Sequence, residues 1–175
     1  MMKKICKILV ILQMSLLPFT MSAQENPEAV AHFKKGDTFY RNGDHVEAIA
    51  EFDKAIELDG KFVNALLQRG FCRNITKDFE GAVKDFSRVI ELEPNHRWAY
   101  VSRGSARNKT GEYQLAIDDF NAALKIDPTD QEAYNNRGFS KKLMGDKTGA
   151  CEDWNTSKKL GNEEARIILK NNNCK

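Results

Sequence analysis

The chain has 175 residues, 41% apolar and 30% charged, with 27 lysines and arginines against 25 aspartates and glutamates. That length holds one ordinary domain or a short repeat array, and the composition excludes wholesale disorder and a multi-pass membrane protein. Three lysines lie in an N-terminal segment that reads as removable; 27 less three leaves 24 against 25, too near neutral for the basic footprint of a nucleic-acid binder.

Residues 1–23 begin with Lys3, Lys4 and Lys7, run apolar from Ile8 to Leu17, and end in Pro18-Phe19-Thr20-Met21-Ser22-Ala23. A basic start, a short apolar stretch and a small-residue end are the parts of a secretory signal peptide. The run is about half the roughly twenty residues a membrane-spanning helix needs, and Pro18 breaks it. Cleavage after Ala23 predicts a mature chain beginning at Gln24, with no stable membrane span. Met21 is large for its place, so an uncleaved anchor is the alternative. Cys6 precedes the apolar run, whereas a lipid-bearing cysteine follows one, which disfavours a lipoprotein. The expected location is outside the cytoplasm, in the periplasm or cell envelope, with secretion as the variant.

After a lead-in at 24–28 the chain repeats itself every 34 residues. Gly36, Gly70, Gly104 and Gly138 form one column; Ala48, Ala82, Ala116 and Ala150 a second; Phe52, Phe86, Phe120 and Trp154 a third. Ile49, Val83, Ile117 and Cys151 make another, as do Leu58, Leu92, Ile126 and Leu160. The glycines, and the small Thr38, Cys72, Ala106 and Ser140 two residues on, admit a second helix closely. The alanines do the same from the facing side, and the aromatics fill the gap between units. Gly60, Pro94 and Pro128 end their units. Polar turns at Asn42-Gly43-Asp44, Lys77-Asp78, Gly111-Glu112 and Gly145-Asp146 divide each unit into two helices.

These columns, and the runs Gln68-Arg69-Gly70, Ser102-Arg103-Gly104 and Asn136-Arg137-Gly138, resemble the tetratricopeptide repeat family and its Arg-Gly subclass. The resemblance covers 29–62, 63–96, 97–130 and 131–162. It implies an all-α fold, a right-handed solenoid of four helix-turn-helix units. The first unit departs from the family with His32 in place of a large apolar residue and Gly60 in place of proline. Residues 163–175 carry Ala165, Ile168 and Leu169 on one face, a capping helix and tail for the open end of the stack.

Chemistry is sparse. His32, His45 and His96 share no metal-ligand spacing with each other or with cysteine, and the sequence has no phosphate loop, nucleophile elbow or Cys-x-x-Cys. No enzyme activity, metal or cofactor is expected. Cys72 reads as a small buried hydrophobe. Cys151 and Cys174 come to the same end if their helices form a hairpin about Gly161, and in an oxidising compartment they can pair; two free thiols are the rival. A basic column (Lys35, Arg69, Arg103, Arg137) precedes an acidic one (Glu51, Asp85, Asp119, Asp153) by 16 residues in every unit, which predicts a cross-helix ion pair rather than an anion-binding ladder. Arg73, Arg107 and Lys141 have no evident partner.

In the resembled family the first helices line a concave groove that takes partner peptides. Carried over, groove positions are Phe33, Asp37 and Tyr40; Asn64, Leu67, Phe71 and Asn74; Trp98, Val101, Ser105 and Asn108; and Glu132, Asn135, Phe139 and Lys142. Leu67 and Val101 read as packing residues, whereas Tyr40, Phe71 and Trp98 read as groove surface. The clamp by which some members hold chaperone tails is missing: Phe33, Asp37, Gln68, Trp98 and Ser102 occupy its positions. The expected function is a non-enzymatic adaptor or scaffold for a protein or peptide partner. The alternatives are a structural subunit, self-associating or part of a larger assembly, and a thiol-dependent protein using Cys151 and Cys174.

Overall fold

A computed structural model describes residues 26–174; the segment 1–23, read from sequence as a signal peptide, and the first two residues of the expected lead-in lie outside them. The described residues form nine α-helices: α1 Pro27–Asn42, α2 His45–Leu58, α3 Val63–Ile75, α4 Phe79–Leu92, α5 Arg97–Thr110, α6 Tyr113–Ile126, α7 Gln131–Leu143, α8 Lys147–Lys159 and α9 Glu163–Asn171. Each packs on its chain neighbours. The first helices also touch one another, α1 with α3, α3 with α5 and α5 with α7, so one surface of the solenoid is built from first helices alone.

Polar residues mark the helix starts as the physics of unpaired N–H groups requires. Asp130 Oδ1 accepts from the Glu132 and Ala133 N–H groups, Asp78 from Gly81, Asp146 from Gly149 and Asn162 from Ala165. Asn26 does the same for Glu28 and Ala29, with Pro27 at the first helical position. Helix α1 therefore begins inside the segment read from sequence as a 24–28 lead-in; the Asn-Pro pair starts it two residues before the repeat.

The turns inside units need a left-handed residue, supplied by Gly43, Gly111 and Gly145 at φ 87°, 84° and 89°. The second unit uses Lys77 instead, at φ 67°. A side chain costs free energy in that conformation, so Lys77→Gly should stabilise the protein by about 0.5–1 kcal/mol, read as a higher urea midpoint. No gain in midpoint would mean that Lys77 carries compensating contacts.

The glycine column is a contact surface. A Cβ on Gly36, Gly70, Gly104 or Gly138 would lie 2.6, 2.7, 2.9 or 2.6 Å from Phe52, Phe86, Phe120 or Trp154 of the same unit. The same aromatics reach forward: Phe52 clusters with Cys72 and Phe86 with Ala106, the small residues of the next first helix. Each aromatic thus closes its own unit and joins the next.

Helix α9 is a shortened first helix of a fifth unit. Asn162 caps Ala165 as Asp130 caps Ala133, which sets Ile167 at the place of Asn135 and Leu169 at that of Arg137. Ile168 and Leu169 pack on Ala150 and Trp154, the last open face of the stack. A disulfide joins Cys151 of α8 to Cys174 beyond α9, with Cα atoms 5.6 Å apart. Cys72 is the free cysteine of the described residues; burial pushes its thiol up to about 11, which leaves it unreactive.

Candidate functional site

Residues three, four and seven apart share one helix face, so the groove columns of each first helix point together. Trp98 is the most open aromatic among them, 50% exposed. The Arg97 guanidinium covers one side of its ring, 4.0 Å from the centroid, and Arg97 is itself held by Asp130 and Asp127. Asp130 is buried and also caps α7, so the indole stands on a fixed support.

The other aromatics are half-buried and lean on the core. Phe71 follows Gly70 and lies 5.4 Å from Phe86; Phe139 follows Gly138 and meets Trp154 edge-on at 5.5 Å. Phe33 packs on Phe52 and Phe62, and Tyr40 on His45. These four therefore offer less open surface to the groove than Trp98 does. Asp37 is tied to Arg41 at 2.9 Å.

Among the amides Asn64 is exposed, and Asn74 and Asn108 are half-buried, with the Asn108 Oδ1 accepting from the Ser140 hydroxyl of the next unit at 2.8 Å. Lys142 is exposed. Asn135, read from sequence as groove surface, is instead 5% exposed, in the seam where Val101 is also buried. Its Oδ1 and the Gln68 Oε1 are buried without a hydrogen-bond partner. Ile167 extends the same column onto α9 and is exposed, as are Ile75 and Leu143 beside Asn74 and Lys142. Those three escaped the sequence reading. For Ile167 the available signal was the cap spacing of Asn162 and Ala165.

The charged columns lie about half a helical turn from the groove columns, on the opposite side of each first helix. Arg69, Arg103 and Arg137 bond the acids 16 residues on, Asp85, Asp119 and Asp153, and each also reaches back to the preceding unit, to Asp53, Ser87 and Asn121. Arg73, Arg107 and Lys141 bond the same buried acids at 2.8, 2.8 and 2.9 Å. Their constant 12-residue offset from those acids was the signal missed. The ladder therefore staples units together.

In the first unit His32, Lys35 and Lys54 converge on Glu51. Hydrogen bonds from Lys35, then His32, hold the Glu51 carboxyl at about 2 against its ordinary 4.5. A depressed carboxylate contributes stability that is complete above pH 4.5 and lost as pH falls through about 2. Glu51→Gln should flatten the acid limb of the stability curve in that window; an unchanged acid limb would contradict the assignment.

Among the described residues no group of His, Cys, Asp and Glu could hold a metal ion, and no helix is long and apolar enough to cross a membrane.

Profiles described as "Tetratricopeptide repeat" and "TPR repeat" match residues 29–62 and 104–145. Among solved structures, MamA from Desulfovibrio magneticus RS-1 is similar with a TM-score of 0.75 and 22% identity, over 79% of this chain and 78% of that one. The first TPR domain of Spaghetti (RPAP3), bound to an HSP90 peptide, superposes at TM-score 0.65 with 24% identity, over 68% and 94% of the two chains. The second TPR domain of human RPAP3, in complex with an HSP70 peptide, gives 0.64 and 24%, over 67% and 98%. At these identities the likeness is one of fold. No curated protein matches the chain.

Proposed function

We propose, for this tetratricopeptide-repeat protein, that the surface of its first helices binds an extended segment of a partner protein or peptide, without a covalent step. The repeat scaffold is a non-enzymatic fold and typically a binding one. The observation that carries the reading is Trp98, a large aromatic half in water yet fixed from below by Arg97 and Asp130. Rigid exposed aromatics anchor partners at little entropic cost. Asn64, Asn74 and Asn108 lie in neighbouring groove columns, where amides can meet the donors and acceptors of a bound main chain. The peptides on the two RPAP3 domains support this kind of ligand, although the chaperone-tail clamp positions here are Phe33, Asp37, Gln68, Trp98 and Ser102.

The proposed location is the periplasm or cell envelope. It rests on the signal-like residues 1–23 and on the Cys151–Cys174 disulfide, a bond that persists in oxidising compartments. N-terminal sequencing of the exported protein should begin at Gln24.

The test of binding is a crosslinking pull-down from the native envelope with wild type beside a Trp98→Ala, Asn74→Ala variant of unchanged circular dichroism. A partner held by wild type and lost by the variant supports the groove; equal capture by both contradicts it. Self-association is the second reading, favoured by one observation. Ala31 and Thr38 are exposed on α1 where their column mates Ala65, Ala99 and Ala133, and Cys72, Ala106 and Ser140, are buried against a preceding unit. A mass that rises with concentration, with the groove still free, would favour it.

A further inference from the structure

A cavity of about 400 Å³ opens where the groove meets the chain's tail. Lys142 at the end of α7, Lys147 at the start of α8, Trp154 and the three amides Asn171, Asn172 and Asn173 line it. Lys142 belongs to the groove column of Tyr40, Asn74 and Asn108, so the groove and the cavity share a residue.

The tail that closes this cavity is fastened in place. Cys174 is bonded to Cys151, and its N–H donates to the Leu169 carbonyl at 3.1 Å. The Asn173 N–H donates to Lys170 and the Asn172 side-chain amide to Ile168, at 3.2 and 2.8 Å. Among the described residues, neither Lys142 nor Lys147 pairs with a carboxylate. Of the nearby acids, Asp146 accepts from Gly149 N–H as the cap of α8, and Glu152 lines an adjoining cavity, beside the disulfide, that shares Lys147 and Asn173 with this one. Two lysines lining one concavity draw anions, and the side-chain amides that line it with them are neutral donors.

We propose that this cavity binds a carboxylate of the partner peptide, its C-terminal carboxylate or an acidic side chain. The peptide rests on the groove reading; the carboxylate site does not. Compact lysine charges suit a single carboxylate, and the volume accommodates a terminal residue with it. The disulfide holds the amides in the site, so reduction should empty it.

The site is tested without a peptide by titrating the oxidised protein with N-acetylglycinate and with N-acetylglycinamide, followed by backbone NMR. Saturable shifts of Asn171, Asn172 and Asn173 with the carboxylate alone are expected. They should disappear in a Lys142→Ala, Lys147→Ala variant, whose changes lie on exposed side chains, and in Cys174→Ser. No saturable shift, equal shifts with the amide, or shifts that persist in the lysine variant would overturn the proposal.

A pool of random peptides, made once with free C termini and once amidated, then separates the sources. At least tenfold better retention of the free pool assigns the chain terminus; enrichment of Asp or Glu in both pools assigns the side chain. Equal retention without acidic enrichment removes the peptide's part. Acetylglycinate binding with no peptide retained would sink the groove reading and leave the carboxylate site standing.

Discussion

Asp119→Ala should destabilise the protein by about 3 kcal/mol, the scale of breaking a buried ion pair by removing one partner. Asp119 is 3% exposed and accepts from Arg103 at 2.6 Å and Arg107 at 2.8 Å. No other described acid touches either arginine: the remaining bonds of Arg103 and Arg107 go to the Ser87 hydroxyl and the Leu115 carbonyl. Truncation leaves two largely buried guanidinium groups without an anion.

The second unit supplies the control. Arg69 there also bonds Asp53 at 2.6 Å, and Arg73 lies 3.5 Å from Asp78. Asp85→Ala should therefore cost about 1–2 kcal/mol less, because the uncompensated-charge penalty is smaller. Urea unfolding with unchanged slopes reads both numbers. Equal losses would mean that the carboxylates act through packing or local hydrogen bonds, with charge balance irrelevant.

Gly138→Ala should destabilise by about 2 kcal/mol even though alanine is favoured over glycine in a helix by about 1 kcal/mol. The added methyl would sit 2.6 Å from Trp154 Nε1, inside contact distance. Trp154 is fully buried, and that nitrogen donates to the Asn135 carbonyl at 3.1 Å, so moving the ring sacrifices a buried hydrogen bond as well as packing. Gly60 meets nothing nearer than 3.9 Å and has no positive φ, so Gly60→Ala should be close to neutral. If both substitutions stabilise, the glycine column reflects something other than close approach.

Much of this architecture was legible because a solenoid packs each unit only on its neighbours, so every contact recurs at one spacing. The Gly36 column and the aromatic column met across two helices in all four units, and the Arg69 column met the Asp85 column. What was missed depends on the third dimension or on the ends. Asn135 looked like surface because it is polar, yet its column mates Leu67 and Val101 are apolar and, like Val101, it is buried. Arg73, Arg107 and Lys141 lacked a partner in the sequence because one acid serving two cations does not show as a one-to-one pairing. The place of Ile167 in the groove was hidden because the fourth unit ends in the shorter turn at Gly161 and Asn162, which shifts α9 out of the repeat's count.

The central claim is that partners lie on the face made by α1, α3, α5 and α7. It is tested most directly by placing a photo-crosslinking side chain at Asn74, at Lys84 on the second helix of the same unit, or at Ala31 on the open end, and irradiating each protein in its own cell envelope. A discrete adduct from the Asn74 position, with none from Lys84 or Ala31, is the predicted result. Adducts from Lys84 or Ala31 with none from Asn74 would contradict it and move the interface to the second helices or the repeat end.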